Sequence, residues 1–407
     1  LHFLFAWRYF KAKKSTNAIN VIAWTSVIAI VMGTCIQIIV LSVFNGFEDL
    51  VKSLYSSFYT DLRVSPSSGK TIRLTDAQVQ QLRGIKGVRN LSLIAEEKAF
   101  IQNGENQSVV YLKGVDDNYR YTTGIADHIV KGEYELGTED EPSLILGAGI
   151  EGALGIQAER NIYILKIYLP RKSNTEMIDP MNDISNDSIR TSAAFIIQQD
   201  FDNKYGFTNI DFVKRALKLE PNEFSAAEIA LQDPDAASDI KKQIEKMMGP
   251  GYLVQTRYQQ NQSLYSVMNL ERWVIFGVLS LILVVAAFTM IGALTMLVLE
   301  KQKDISILHS LGATKGVIQR IFLSEGILLA SIGTVIGMAL AAIFTIVQVN
   351  FHIIPLSGGS FLIDYFPMQL RATDFLLVGG TAFVIALIAS LIPSRKAANQ
   401  DFSLRSE

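Results

Sequence analysis

The sequence predicts an α-helical membrane protein of four transmembrane helices, with a large α+β extracytoplasmic domain inserted between helices 1 and 2. Four stretches, Ala18–Phe44, Trp273–Leu299, Gly326–Asn350 and Phe375–Ser394, carry no Asp, Glu, Lys or Arg. Each runs to about 20 residues or more, enough at about 1.5 Å per residue to cross a ~30 Å hydrocarbon layer. The polar, foldable sequence from Asn45 to about Leu270 separates the first stretch from the second. Lysines and arginines gather at alternate ends of the stretches, as the flanks of a multi-pass chain should.

Residues 1–17 set Leu1, Phe3, Leu4, Phe5, Trp7, Tyr9 and Phe10 beside Arg8, Lys11, Lys13 and Lys14. This is either an amphipathic segment on the inner leaflet or an extension of the first span. The span at 18–44 is expected to be an uncleaved anchor. A signal core runs only about 7–15 apolar residues, and no small-x-small site follows at Leu41–Phe47. The chain starts at Leu1 rather than Met, so at least one residue is expected upstream. Lys301, Lys303, Lys315 and Arg320 lie between the second and third spans, and Arg395 and Lys396 follow the fourth. The loop at 350–372 holds Arg371, with Asp364 and Asp374 near it. The positive-inside rule therefore puts both termini in the cytoplasm and the inserted domain outside.

Within 45–269 the pattern alternates between strand and helix. Asp61–Val64 reads as a strand closed by Pro66. A helix at 76–82 has Thr75 as its N-cap, with Gly84 and Gly87 as stops. Val88–Ile94 and Glu97–Ile101 alternate ahead of an Asn103-Gly104 turn. Ser108–Val115, Ser143–Gly147 and Asn161–Leu169 are further strands. A helix at 235–247 places Ala236, Ile240, Ile244 and Met247 on one side, and Gly249-Pro250-Gly251 turns it into the strand Tyr252–Thr256. The expected result is a core with an inserted lobe. Pro170 to Arg190 shows no period and is rich in Asn, Asp and Ser. It is either a variable insertion or a docking arm, with Pro170, Arg171, Met177, Ile178, Pro180 and Met181 as candidate contacts. Asn45–Phe58 and Arg257–Arg272 read as stalk helices. The second is expected to run unbroken to Leu299, roughly 60 Å, which exceeds the bilayer.

Spans at 270–299, 319–349 and 373–394 follow, with a cytoplasmic segment at 300–318 and a tail at 395–407. In that segment Ile305, Leu308 and Leu311–Gly312 share a helical face, Glu300, Lys301 and Asp304 cluster at its start, and Gly312 stops it. Such a helix either turns the chain at the interface or sits in the groove of a soluble protein. Gly333, Gly337 and Ala341 recur every four residues and predict close packing within the three-helix unit. Gln37 is expected to make an interhelical hydrogen bond, and Glu325 to snorkel or pair with Arg320. Val40, Phe44 and Phe47 of the first span, with Gln37, face Val267, Ile275 and Leu279 of the second as a candidate wall for acyl chains. Each CH₂ buried there contributes about 0.8 kcal/mol.

A net charge of −2 with no basic, aromatic-interleaved patch argues against a nucleic-acid partner. The single cysteine, Cys35, leaves the domain no disulfide. No Gly-x-x-x-x-Gly-Lys-[Ser/Thr] loop, metal-ligand spacing or nucleophile–base set is legible. The chain is therefore expected to have no catalytic residues, no metal and no cofactor of its own. Energy must come from elsewhere.

The run from Leu299 to Phe322 resembles the signature of the FtsX/MacB-like ABC-transporter permease superfamily, E-K-x-x-[DE]-I-[AS]-I-L-x-x-[LM]-G-A followed by I-x-x-[IL]-F. Glu325-Gly326 continues it. Ser42–Glu48, the pairs Leu146-Gly147 and Leu154-Gly155, Asn261–Leu270 and Ile392–Ala398 are most similar to the lipoprotein-releasing permease (LolC/LolE) subfamily. The resemblance implies a Porter/Sabre-like domain in the periplasm and a multi-pass chain in the bacterial inner membrane. It also implies a coupling helix at 304–314, seated on a cytoplasmic ABC ATPase present in two copies that binds ATP and Mg. A second permease copy or paralogue would complete the complex. By mechanotransmission it would extract lipoproteins from the membrane lipids and pass them to a periplasmic lipoprotein carrier, which the 170–190 arm would dock. Two alternatives remain open: a MacB-like exporter of a peptide, toxin or drug, and an FtsX-like activator of a cell-wall hydrolase. The first usually carries a fused ATPase and the second a smaller domain.

Overall fold

The computed structural model describes residues 17–160, 162–171, 184–356, 363 and 365–399. The chain forms two compact units that divide at 50/51 and 265/266, compared with the expected 44/45 and 269/270. Four helices are long and apolar enough to cross a membrane, and all but their residues 51–58 and 262–265 belong to the helical unit. They begin at Asn17, Gln262, Lys315 and Ala372 and end at Phe58, Glu300, Phe351 and Ala398; they are called spans one to four below. Span one is unbroken for 42 residues, so the expected stalk at 45–58 is its direct continuation. No proline interrupts it, and Gly33 and Gly46 are tolerated because they sit where neighbouring groups come close.

The second stalk differs from expectation. Arg257–Gln260 is a separate turn of helix, broken from span two at Asn261, whose φ is −124° and ψ 34°. Thr256 and Gln259 form a capping box at its start. The Asn261 side-chain amide donates to the Arg257 carbonyl at 3.3 Å, so a side chain occupies the carbonyl that the next helical N–H would have taken.

The α+β unit is built on β1 (Leu62–Pro66), β2 (Ile72–Arg73), β3 (Val88–Asn103), β4 (Asn106–Val115), β5 (Ile129–Gly132) and β6 (Ser143–Gly147). It continues with β7 (Ile164–Pro170), β8 (Ile184–Phe195), β9 (Tyr205–Asn209), β10 (Glu223–Phe224), β11 (Ala226–Leu231) and β12 (Tyr252–Thr256). The main sheet runs β12-β1-β11-β3-β4-β9-β6-β8-β5, β7 bridges β3 and β8, and β2 pairs with β10 separately. Side chains alternate between two cores on opposite faces. Leu91, Ala95 and Leu112 join Leu82, Val213 and Ile244 of helices Asp76–Arg83, Ile210–Leu217 and Ala237–Met248. Ile94 and Val115 face the other way, onto an aromatic core of Phe58, Tyr119, Phe195, Phe201 and Phe207.

Several local expectations appear as drawn. Thr75 caps its helix with a complete capping box, and Gly104, at φ +59°, makes the tight β3–β4 turn between Asn103 and Asn106. The two strands expected at 88–94 and 97–101 are one continuous β3. The periodless stretch Pro170 to Arg190 is strand at both its ends: β7 and β8 pair from Ile164↔Arg190 to Pro170↔Ile184. Its Asn186, Ser188 and Arg190 are the solvated positions of a half-buried strand whose Ser185 and Ile189 point inward. Only 171–183 connects the two strands.

Candidate functional site

Spans one and two meet through Gln37, whose amide nitrogen donates to Ser280 Oγ at 3.1 Å. Cys35, Ile38, Leu41 and Phe276 pack in the same cluster. Val40, Phe44 and Phe47 are half-buried on span one, as are Ile275 and Leu279 on span two, whereas Val267 is 52% exposed. The candidate wall is therefore partly covered within one copy of the chain.

Gly333 and Gly337 do not face the three-helix unit, as expected, but span one. A Cβ on Gly333 would stand 3.0 Å from Ile30, and one on Gly337 would stand 2.6 Å from the Val31 carbonyl oxygen. Ala341 continues the seam, fully buried beside Ile38 and Leu41. The spacing gave a small-residue stripe but no partner, because any helix can approach such a stripe. Glu325 neither snorkels nor pairs with Arg320. It is 2% exposed, and its Oε2 lacks a hydrogen-bond partner among the described residues.

The segment between spans two and three forms a helix, Gln302–Ser310. Glu300 ends span two, and Lys301 lies 3.3 Å from Asp304. Gly312 at φ +91° closes the helix: Ala313 N–H donates to the Leu308 carbonyl and Gly312 N–H to that of His309, a Schellman ending. The expected shared face is split. Ile305 is buried against Val298, Ile318, Phe322 and Ala397 of its own unit, and Leu308 is half-buried. Leu311 is 79% exposed and Ile307 58%. The outward apolar surface is thus Ile307 and Leu311, one turn apart.

Of the candidate arm, Pro170 ends β7 and Arg171 follows it. Both line a cleft of about 500 Å³ with Lys70, Thr71, Glu97 and Leu219. Met177, Ile178, Pro180 and Met181 lie outside the described residues.

Two constellations escaped the sequence reading. Within the α+β unit, Phe58 stacks on Phe201 with centroids 4.1 Å apart and meets Tyr205 at 4.6 Å. Beneath it Lys113 Nζ bonds Glu228 Oε1 at 2.7 Å and the Tyr119 hydroxyl at 2.9 Å. Arg63 joins Glu228 to Glu96. Burial works against its charge, but the two carboxylates outweigh burial and raise its pKa. Burial pushes the Tyr119 hydroxyl well up, which keeps it protonated. Arg257 ties the adjoining chain ends together, donating from Nε to the Tyr59 carbonyl at 3.0 Å and pairing with Asp61 at 2.8 Å. The sign of this network is invisible in sequence, since Lys113 and Glu228 are each a lone charge within an apolar strand.

The second constellation lies in the helical unit. Arg371 Nη1 donates to Glu48 at 2.9 Å and Nη2 to Asp49 at 2.8 Å. Asn45 Nδ2 donates to the Gln369 carbonyl at 3.3 Å and to Asp374 at 2.6 Å. Arg272 of span two pairs with the other oxygen of Asp374. Gln369 N–H donates to the Ser42 carbonyl at 2.9 Å. Phe47 meets Phe366 edge-on at 6.0 Å, and a Cβ on Gly46 would stand 2.3 Å from the Pro367 oxygen. The signal was present as Asn45-Gly46-Phe47-Glu48, but its partners lie more than 300 residues away in sequence.

The family model for the FtsX-like permease C-terminal domain matches residues 276–402. The lipoprotein-releasing system transmembrane protein LolE of Haemophilus influenzae is 25% identical over 407 residues, covering 97% of this chain and 96% of that protein. LolC of Xylella fastidiosa is 24% identical and LolC of Neisseria meningitidis 25%, each over 96% of this chain and 95% of its own length. The solved periplasmic region of MacB from Actinobacillus actinomycetemcomitans covers 53% of this chain and 98% of its own at TM-score 0.37 and 9% identity, too loose a match to carry any conclusion. Residues 276–402 thus match the FtsX-like permease C-terminal domain, and the chain is similar, over nearly its whole length, to the transmembrane proteins of lipoprotein-releasing systems.

Proposed function

We propose that this chain is the permease subunit of an ABC-type lipoprotein-releasing complex of the bacterial inner membrane. Both termini face the cytoplasm, and the α+β unit is periplasmic. The observation that carries this reading is the end-to-end similarity to LolE and LolC proteins, which extends through the α+β unit as well as the spans. Two permease chains, identical or paralogous, work with two copies of a cytoplasmic ATPase that binds ATP and Mg. Lipoproteins leave the membrane lipids for a periplasmic carrier, and the 171–183 connection at the tip of the β7–β8 hairpin is the candidate carrier contact. Motion passes through helices rather than through a water-filled channel. A helix holds its length by its own hydrogen bonds, so displacement at one end of span one reappears at Phe58.

Depletion of the protein in its native cell, followed by membrane fractionation, tests this. Lipoproteins should accumulate in the inner membrane, and unchanged delivery to the outer membrane would exclude the reading. A second expectation concerns the ATPase contact. Leu311→Asp and Ile307→Asp should each cut co-purification of the ATPase at least tenfold while leaving the melting temperature unchanged, because both side chains are exposed. Ile305→Asp should lower the melting temperature instead, since it puts a charge into an apolar cluster. Retention of the ATPase by Leu311→Asp would remove this helix from the interface.

A further inference from the structure

The chain from Tyr365 to Arg371 lies across the end of span one that leads toward Phe58. Phe366 sits on Phe47 and Pro367 on Gly46, covering the end of the candidate wall that begins at Gln37 and passes Val40 and Phe44. Its fastening joins apolar contacts, with Met368 buried and Leu370 against Ile38 and Leu41, to ion pairs: Arg371 held by Glu48 and Asp49, and Asp374 held by Asn45 and Arg272. Spans one and three do not need those charges to associate, because the Gly333–Gly337–Ala341 seam already packs them closely. Ion pairs differ from such packing in binding in one register, and water can take over each partner once the segment lifts. Because these pairs are part-buried, breaking them costs free energy, so the closed position holds until an outside energy source opens it.

We propose that the Tyr365–Arg371 segment is a latch over the outer end of span one, and that it lifts during the transport cycle to admit an acyl chain to Phe44 and Phe47. The nature of the cargo rests on the lipoprotein reading; the lifting does not. Arg371 is the key of the latch, since among the described residues it alone bridges two carboxylates of span one. Asp374, 3% exposed, sets the register in which span four, span two and the latch lock together. Lifting would expose its carboxylate to water, which replaces Asn45 and Arg272 as partners.

The test uses Glu48→Cys with Arg371→Cys in a Cys35→Ser background, with the full chain co-expressed with its ATPase in membrane vesicles. A short bifunctional thiol reagent replaces the ion pair by a covalent link. The linked protein should release an acylated lipoprotein at least tenfold more slowly than the unlinked double variant, and equal rates would overturn the latch. The rate of cross-linking is a second readout, independent of cargo. It should fall at least fivefold when the ATPase is trapped with ATP and vanadate, and an unchanged rate would also overturn the latch. A nucleotide-dependent cross-linking rate in the double variant, together with no lipoprotein release by the Cys35→Ser parent, would support the latch and overturn the cargo reading.

Discussion

Glu228→Leu in the full chain is expected to destabilise the α+β unit by about 3–5 kcal/mol, the usual cost of stranding one partner of a buried ion pair. Lys113 and Glu228 are each 2% exposed, so the ammonium left behind keeps the Tyr119 hydroxyl and the ring of Phe58, 5.6 Å from Nζ, but loses its counter-charge. The double variant Lys113→Met/Glu228→Leu should recover most of the loss, because it removes both charges and leaves apolar groups of similar size. Hydrogen exchange over 106–115 and 226–231 in detergent reads this directly. Tryptophan fluorescence would miss it, since Trp7, Trp24 and Trp273 all lie outside the 51–265 unit. A single variant as protected as the parent would show that the pair contributes nothing. Phe58 is the last residue of span one and its ring faces Lys113, so loosening this socket should also raise exchange at the end of that helix.

Gly337→Leu is expected to be the most damaging substitution in the helical unit, costing about 1–3 kcal/mol or more. The Val31 carbonyl it would meet is backbone and cannot rotate away, and the Thr34 hydroxyl beside it already donates to the Ile30 carbonyl at 2.8 Å. The expected readout is a lower melting temperature of the detergent-solubilised chain, together with faster proteolysis within spans one and three. Gly277→Leu is the control, since nothing lies within 4 Å of a Cβ built there. Equal damage from both would mean that the seam between spans one and three does not hold the unit.

The sequence by itself determined whatever depends on near neighbours. Charge-free length marked the four membrane helices. Thr75 with Gln78 marked a helix start, Asn103-Gly104 a hairpin, and Gly312 the end of the helix between spans two and three, because caps and tight turns close within three or four residues. Leu299–Phe322 resembles the permease signature, and the FtsX-like permease C-terminal model matches the surrounding residues 276–402. Sequence did not show β11, whose Ala226, Ala227 and Ala230 are poor strand formers alone and become a strand only between β1 and β3, where all six residues are buried. Nor did it show which helix Gly337 touches, that Ile305 turns inward while Ile307 turns outward, or that Arg371 closes on Glu48 and Asp49. These contacts join residues far apart in the chain. Their free energy depends on distance and burial, quantities that exist only once the helices and the sheet have packed.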